Sequence, residues 1–190
     1  MSDCSKIAQM HQDYILGGFL SCLGHDFLNL LYETILEYSE GVLLVVEFDG
    51  QLAGFVAGVL DTKEFYRYFL RKNFFRAGFM LVGRLFQGDT FVRVMEVLFY
   101  PKKSSKLVFP RAELLSMAVC EDFRRKGVGG ILFDGLVERL KARGVGEFKI
   151  VVGSALSSSK IFYINKGSGE VGSLEVHKGH KSDVLIRKIL

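Results

Sequence analysis

The stretch that decides the fold is Arg124-Arg125-Lys126-Gly127-Val128-Gly129-Gly130. It lies between an apolar run at residues 114–119 and an amphipathic stretch at residues 131–143, which together predict a strand, a glycine-rich turn and a helix. Main-chain N–H groups converge where such a helix begins, and the helix dipole favours an anion there. Glycines let the backbone come close to a ligand, and basic side chains add charge-assisted contacts to phosphate oxygens. The stretch therefore predicts a phosphate-binding turn; the alternative is an ordinary strand-to-helix turn with solvated basic residues.

The turn matches neither of two common nucleotide-binding loops. A Walker loop requires Lys followed by Ser or Thr directly after its last glycine, whereas Ile131 follows Gly130 here. A dinucleotide-binding turn requires other glycine intervals and an acidic residue at the end of the next strand. The next predicted strand, at residues 148–152, is followed by Gly153-Ser154. The sequence therefore excludes both of these loop classes.

The spacing Arg124-x-x-Gly127-x-Gly129 resembles motif A of the GNAT acetyltransferase superfamily. The run before it, Glu113-Leu114-Leu115-Ser116-Met117-Ala118-Val119, resembles the central strand of that family. The similarity covers residues 112–143, and weaker similarity extends from about residue 17 to the C-terminus. It implies a turn that binds the pyrophosphate of acetyl-CoA and two splayed strands that admit the pantetheine arm. The cofactor-binding residues that it implies are Met117, Ala118, Val119, Arg124, Arg125, Lys126, Gly127, Val128, Gly129 and Gly130.

A candidate catalytic acid follows from the same resemblance. Family members carry Tyr, three residues, Gly and Phe on the helix after the splayed strand, and Tyr163 and Gly167 occupy these places. Ser168 replaces the phenylalanine, and Leu156 and Ser159 stand where the family has Asn and Ala. The resemblance implies that Tyr163 protonates the departing thiolate. A tyrosine of the core or the surface is the alternative interpretation.

The candidate base is Glu113, which opens the central strand. The family often carries a carboxylate there that acts directly or through water; a solvated strand-end carboxylate is the alternative. His177, in the last predicted hairpin, is a candidate substrate-binding residue because a residue there can reach the acceptor side of a GNAT site. Attack in this family is direct, so Cys120 is predicted to be a structural residue. Main-chain N–H groups near residues 117–119 would stabilise the oxyanion.

Composition limits the classes of protein to which this chain can belong. Hydrophobic residues make up 49% of the 190-residue chain, charged residues 24%, and the net charge is +4, which indicates an ordinary globular protein without a nucleic-acid partner. No apolar run reaches the roughly 18 residues of a membrane span, and Met1-Ser2-Asp3-Cys4 does not begin a signal peptide. The three cysteines are too widely spaced for a disulfide framework or a zinc site, so we expect no metal and a cytoplasmic location.

Hydrophobic periodicity outlines the secondary structure. Predicted helices lie at residues 5–11, 24–38, 131–143 and 157–165, and predicted strands lie at 42–48, 51–59, 113–119, 148–152, 172–177 and 183–190. This order predicts a mixed α/β protein. The resemblance implies a GNAT fold in one domain over residues 1–190, with a central, mostly antiparallel sheet, splayed strands and flanking helices. The usual first strand of the family is missing or vestigial, because only ten residues precede His11 and they have a helical pattern.

Residues 61–111 form an insertion rich in aromatic and basic residues. The segment holds nine of the seventeen phenylalanines, together with eleven basic and four acidic residues, a net charge of +7. Much of it has helical spacing, which predicts a helical insertion whose aromatic side chains pack on the sheet beneath a solvated basic face. A lid over an anionic substrate and a membrane-surface or partner-binding element are the alternatives. No sequence motif supports RNA binding.

Taken with the resemblance, these patterns predict an acetyl-CoA-dependent N-acetyltransferase without a metal. We expect its acceptor to be the primary amine of a small molecule. A protein N-terminus or lysine side chain is the rival acceptor. A CoA-binding regulatory or interaction module without turnover is the non-enzyme alternative, and the departures around Tyr163 favour it.

Overall fold

A six-stranded sheet with the strand order β1-β2-β3-β4-β6-β5 forms the centre of the fold. The computed structural model describes residues 3–15, 20–85, 109–153, 156–177 and 180–189. The strands are β1 (Gly41–Phe48), β2 (Gln51–Val59), β3 (Glu113–Val119), β4 (Glu147–Gly153), β5 (Ser168–His177) and β6 (His180–Lys188). Every neighbouring pair is antiparallel except β3 and β4, which run parallel. The predicted mixed fold with a mostly antiparallel sheet is therefore confirmed.

Five α-helices flank the sheet in the described residues. They are α1 (Asp3–Tyr14), α2 (His25–Glu37), α3 (Thr62–Leu85), α4 (Val128–Lys141) and α5 (Ser157–Asn165). Helix α4 buries Leu132, Leu136 and Leu140, whose spacing of four residues places them on one side of a helix. None of the described helices is both long and apolar enough to span a bilayer.

The sheet separates two hydrophobic cores. One core contains Phe27 and Tyr32 from α2 and Phe55 from β2, so α1, α2 and α3 cover that face. The other core contains Phe133 from α4 and Tyr163 from α5. Successive side chains of a strand point to opposite faces, which is why β2 contributes to both cores. Cores on both faces hold β3 in the middle of the molecule.

The β1–β2 hairpin forms where the sequence predicts it. Asp49 and Gly50 both have positive φ angles, 50° and 77°, as a two-residue type I′ turn requires. Helix α4 lies close to this hairpin, because a Cβ on Gly54 would stand 3.0 Å from Leu132 Cδ1 and 2.8 Å from the carbonyl oxygen of Ala118. The missing side chain at Gly54 lets α4 pack tightly on β2, and this fixes the position of the turn that precedes α4.

Strands β3 and β4 pair only at one end. Glu113 pairs with Lys149 and Leu114 with Ile150, and the described ladder stops there although β3 continues to Val119. On its other edge β3 pairs with β2 over almost its whole length, with a register shift at Leu115. The two parallel strands therefore part after their second pair, and we call the space between them the strand gap.

The structure corrects two details of the predicted architecture. The insertion is helical over Thr62–Leu85, but its buried aromatic side chains Phe65 and Phe69 pack against residues of α2 and its C-terminal end rather than on the sheet alone. Strand β5 begins at Ser168, four residues before the predicted start. As predicted, no strand precedes β1 among the described residues, and α1 occupies that part of the chain. Residues 86–108 lie outside the described part.

Candidate active site

The glycine turn, residues 124–130, has the backbone of an anion site. Gly127 is the N-cap of α4 with a left-handed conformation, φ 86°, and no side chain caps the first turn of the helix. Arg125 also has a positive φ, 59°, which is uncommon for a residue with a Cβ and costs about 1 kcal/mol. Alternation of left- and right-handed residues turns successive N–H groups toward one side. Backbone strain at a helix start of this kind is typical of functional turns.

Packing does not demand a glycine at position 129. An added Cβ there would lie 3.6 Å from the ring of Phe162 and 3.8 Å from Val119 Cγ2, which are ordinary van der Waals distances. At Gly130 an added Cβ would lie 3.4 Å from Lys166 Nζ, the end of a flexible side chain. Both positions tolerate a small side chain within the protein, so packing alone does not explain these glycines.

The basic side chains of the turn are already oriented. Arg124 Nε donates a hydrogen bond to the carbonyl oxygen of Val119 at 3.2 Å, and its guanidinium lies over the ring of Tyr14, 5.4 Å from the centroid. Lys126 Nζ lies 5.6 Å from the ring centroid of Phe123. These contacts hold positive charge where β3 ends, beside the start of α4.

In the described residues, the edge of β3 that faces the strand gap has no ladder partner on β4 beyond Leu114. Cys120 N–H donates to the carbonyl oxygen of Ala53, so the main-chain groups of Cys120 face β2. Because these groups alternate along a strand, those of Ala118 also face β2, whereas those of Val119 and Met117 face the gap. Ala118 thus turns its main-chain groups to β2, and Met117 and Val119 turn theirs to the gap. The part of all three residues in cofactor binding stays a prediction.

Tyr163 lies in the core beneath α4, next to the glycine turn. Its ring packs against Phe133 of α4 and Phe162 of α5, with ring centroids 5.8 and 5.3 Å away. Burial raises the pKa of the Tyr163 phenol, so the hydroxyl keeps its proton at neutral pH. Phe162, not Tyr163, is the α5 side chain in contact with the space at Gly129. The structure thus brings Tyr163 near the turn and leaves its role as acid a prediction.

Glu113 lies at the paired end of β3 and β4. Its carboxylate is 3.0 Å from Lys149 Nζ and accepts a hydrogen bond from Thr62 Oγ1 at 2.8 Å. Glu113 and Lys149 are only 15% and 13% exposed. Six residues of strand, or about 20 Å at 3.3 Å per residue, separate Glu113 from Val119. The structure does not bring Glu113 to the glycine turn, and its contacts are those of a buried ion pair.

His177 pairs with His180 at the end of the β5–β6 hairpin, but its side chain lies outside the described part of the structure. Its role in substrate binding therefore stays a prediction.

The structure also reveals a buried polar chain that sequence patterns do not indicate. His11 Nδ1 is hydrogen-bonded to the Tyr32 hydroxyl, which lies 2.9 Å from Ser116 Oγ on β3. Burial lowers the pKa of His11 to about 4, so the imidazole is neutral at neutral pH. This chain ties α1 and α2 to β3 beside the register shift at Leu115. Helical spacing places His11 and Tyr32 on inward faces, but their pairing depends on the packing of three elements.

A groove of about 360 Å³ lies along α1 near the end of β3. We call it the α1 groove; its lining residues are Ser5, Lys6, Gln9, Met10, Asp13, Tyr14, His25, Gln51, Leu52 and Cys120. The Tyr14 hydroxyl and Cys120 Sγ are 3.2 Å apart, and Cys120 directly follows Val119. The groove thus approaches the site from the face of the sheet that α1 covers. Within the described residues, no group of three or more His, Cys, Asp or Glu side chains is arranged to hold a metal.

Comparison with known proteins agrees with this geometry. The model of the acetyltransferase (GNAT) family matches residues 7–169. A search of curated proteins finds no match. The solved structure of SsHAT is 19% identical with a TM-score of 0.64, and the match covers 100% of this chain and 96% of that one. An N-acetyltransferase from Staphylococcus aureus Mu50 is 14% identical with a TM-score of 0.64, covering 99% and 93% of the two chains. At these identities the structures establish a shared fold.

Proposed function

The chain belongs to the GNAT acetyltransferase family and is an acyltransferase, and we propose that it transfers the acetyl group of acetyl-CoA to a primary amine of a small molecule. The observation that carries the proposal is the strand gap. Strands β3 and β4 part after Leu114 and Ile150, and the strained glycine turn stands at the open end of β3. A slot lined by main-chain groups that lack a ladder partner on β4, next to an anion site, suits a cofactor with an extended arm and a pyrophosphate.

Each part of acetyl-CoA has candidate binding residues in this chain. The N–H groups of residues 127–130 and the side chains of Arg124, Arg125 and Lys126 would hold the pyrophosphate, because charge-assisted hydrogen bonds from a helix start favour phosphate. Main-chain groups of Met117 and Val119 would bind the pantetheine arm inside the strand gap. When bound, acetyl-CoA supplies an acetyl group that its thioester linkage already activates.

The protein would orient the two substrates, stabilise the oxyanion and donate a proton to the departing thiolate. The gap-facing N–H of Met117 or Val119 would stabilise the negative oxygen that forms when the amine attacks. The Tyr163 hydroxyl would give its proton to the departing thiolate, although burial raises the pKa of this phenol and so makes it a weaker acid than an exposed tyrosine. Glu113 is held by Lys149 and Thr62, so its proposed part as base requires a bridging water or a change in these contacts.

The size and lining of the α1 groove favour a small molecule as the acceptor. The groove volume of about 360 Å³ is that of a small-molecule site, and its lining includes Cys120, the residue that follows β3. Asp13 supplies a carboxylate for a protonated amine, while Gln9 Nε2 donates to Asp13 Oδ1 at 2.9 Å and orients it. We propose that the acceptor carries a second cationic or polar group that this wall binds.

A protein acceptor is the second candidate. The fold is also that of a ribosomal-protein-alanine N-acetyltransferase from Brucella melitensis, which is 14% identical with a TM-score of 0.62 over 98% of this chain and 94% of that one. Fold similarity at this identity does not choose between acceptors. The third candidate, a binding module without turnover, draws support from Ser168, Leu156 and Ser159 at places where the family has other residues.

Release of the CoA thiol with a panel of acceptors tests the proposal. The panel includes a polyamine, an amino sugar, an amino acid and a short peptide with a free N-terminus. We expect acceptor-dependent thiol release with at least one small amine and a matching gain of one acetyl group in the acceptor mass. Turnover with the peptide alone would assign a protein acceptor. Binding of acetyl-CoA without turnover on any acceptor would assign the module instead.

We also propose that the reaction takes place in the cytoplasm, where thiols stay reduced. The three cysteines, all within the described residues, form no disulfide with one another. Labelling the thiols in freshly lysed cells without reductant tests this point.

A further inference from the structure

Within the described residues, helix α3 is anchored along one side. Phe65, Phe69, Asn73 and Ala77 follow at intervals of four residues, and all four are buried. The ring centroid of Phe69 lies 5.6 Å from that of Phe27 on α2, and Asn73 Nδ2 donates to Thr34 Oγ1 at 2.9 Å. These contacts place α3 firmly on α2, so the opposite side of α3 is not needed to hold the helix.

That opposite side carries two aromatic rings in solvent. Phe75 is 87% exposed and Phe74 is 65% exposed, and their centroids are 5.4 Å apart. Phe75 is the most exposed large apolar side chain of the described residues. A Cβ on Gly78, one turn beyond Phe74, would meet no heavy atom within 4 Å. Within the described part of the chain, no other element packs over this side of α3 at Gly78, and the two rings protrude into solvent.

Arginines lie beside the two rings. Arg67 and Arg71 precede Phe74 by seven and three residues, a spacing that puts them on the same side of the helix. Both are exposed. Arg67 Nη1 is 2.6 Å from Glu64 Oε1, whereas Arg71 forms no ion pair with any described residue. We call Arg67, Arg71, Phe74 and Phe75 the α3 face.

We propose that the α3 face binds the surface of an anionic lipid bilayer. The charge of the chain is concentrated on this helix, since residues 62–85 hold six basic residues and one acidic residue, a net +5 in a chain of +4. Arginine guanidiniums bind lipid phosphates in bidentate fashion, and phenylalanine rings enter the boundary between headgroups and acyl chains. A protruding pair of rings with cationic neighbours suits a soft anionic surface that can close around it. This inference does not depend on the acetyl-transfer reaction.

Co-sedimentation with vesicles tests the α3 face. Vesicles of phosphatidylcholine are compared with vesicles that contain about one third phosphatidylserine, at about 0.1 M salt. We expect the full chain to pellet with the anionic vesicles, to stay in solution with phosphatidylcholine alone, and to lose binding as salt rises. Binding that is equal on both vesicle types, or absent on both, overturns the proposal.

Paired variants identify the face responsible. The double variant Phe74→Ser with Phe75→Ser should lower the partition coefficient at least about tenfold, because the apolar contact is lost. Arg67→Gln with Arg71→Gln should also lower it, by about 25-fold at about fivefold per charge. The matched controls are Val171→Ser on β5 and Arg139→Gln with Lys141→Gln on α4, and these should bind as the wild type does.

Two outcomes of the variant experiment contradict the proposal. Equal loss of binding in the control variants would show that any basic or apolar surface of the protein suffices. The second contradicting outcome would come from analytical ultracentrifugation. A wild-type dimer that becomes a monomer in the Phe74→Ser, Phe75→Ser variant would assign the face to a second copy of the chain. Circular dichroism of each variant, compared with the wild type, excludes loss of α3 as the cause.

Discussion

Lys149 on β4 lies 3.0 Å from the Glu113 carboxylate on β3, and the two residues are also partners in the parallel ladder. Lys149 Nζ donates to Thr62 Oγ1 and to the carbonyl oxygen of Pro110 as well, at 3.2 and 3.1 Å. This ion pair holds β3 and β4 together at the end where they meet. The strand gap opens beyond this ion pair, which therefore marks the closed end of the proposed cofactor slot.

The first prediction concerns this ion pair. Glu113→Gln should lower the free energy of unfolding by about 2–3 kcal/mol, because it leaves the ammonium of Lys149 buried without a counter-charge. Urea unfolding measures the loss. The double variant Glu113→Gln with Lys149→Met should recover part of it, because the unpaired charge is then gone. Unchanged stability together with loss of the acidic limb of the pH–rate profile would instead identify Glu113 as the base.

The second prediction concerns pH and His11. Its pKa in the folded protein is about 4, below the 6.5 of an unperturbed histidine, because burial disfavours the charged imidazole. The unfolded chain therefore binds the extra proton first as pH falls, and folding stability decreases from about pH 6.5 down to pH 4. Between pH 7 and pH 5 the wild type should lose about 2 kcal/mol from this group.

Urea unfolding of His11→Gln at both pH values checks this loss. The variant should lack the part of the pH dependence that His11 contributes, and His25→Gln, a histidine with a half-exposed side chain, should retain it. Parallel stability curves for the wild type and His11→Gln would contradict the assignment.

The third prediction concerns Tyr163. Tyr163→Phe removes only the hydroxyl and keeps the packing against Phe133 and Phe162. If that hydroxyl protonates the thiolate, kcat should fall by about 100-fold while the Kd for acetyl-CoA changes little. Tyr66→Phe, which alters another buried tyrosine on α3, is the control and should leave both constants unchanged. Equal kcat in Tyr163→Phe and the control would leave Tyr163 a packing residue.

The fourth prediction concerns the acceptor. Asp13→Asn should raise KM for a cationic amine by about 5- to 30-fold, the cost of one charge-assisted contact of about 1–2 kcal/mol, with the Kd for acetyl-CoA unchanged. Asp26→Asn, which removes an exposed carboxylate on α2, should have no effect. A KM that does not respond to Asp13 would place the acceptor outside the α1 groove.

The sequence predicts the features that depend on short stretches of chain. The glycine turn, the helix after it and the Asp49-Gly50 hairpin each follow from neighbouring residues, and the structure confirms all three. Turn chemistry and helical periodicity act over fewer than about fifteen residues, which is why they are visible without a structure.

Features that join distant segments were not predicted. The partner of Glu113 lies on another strand, so nothing near Glu113 in the sequence indicates that its carboxylate is neutralised. The hydrogen bonds that link His11, Tyr32 and Ser116 join three separate elements, α1, α2 and β3. Main-chain direction at Ala118 depends on the register with β2, and one residue of shift reverses it. These are tertiary relationships that local patterns cannot specify.

Titration calorimetry with acetyl-CoA tests the central claim, that the glycine turn holds the cofactor. Gly129→Ala should bind within about fivefold of the wild type, because an added Cβ meets Phe162 and Val119 only at 3.6 and 3.8 Å. Gly129→Asp should weaken binding at least about 100-fold, since it places a negative charge in the anion site. Wild-type affinity in Gly129→Asp, or absence of binding by the wild type, would contradict the account.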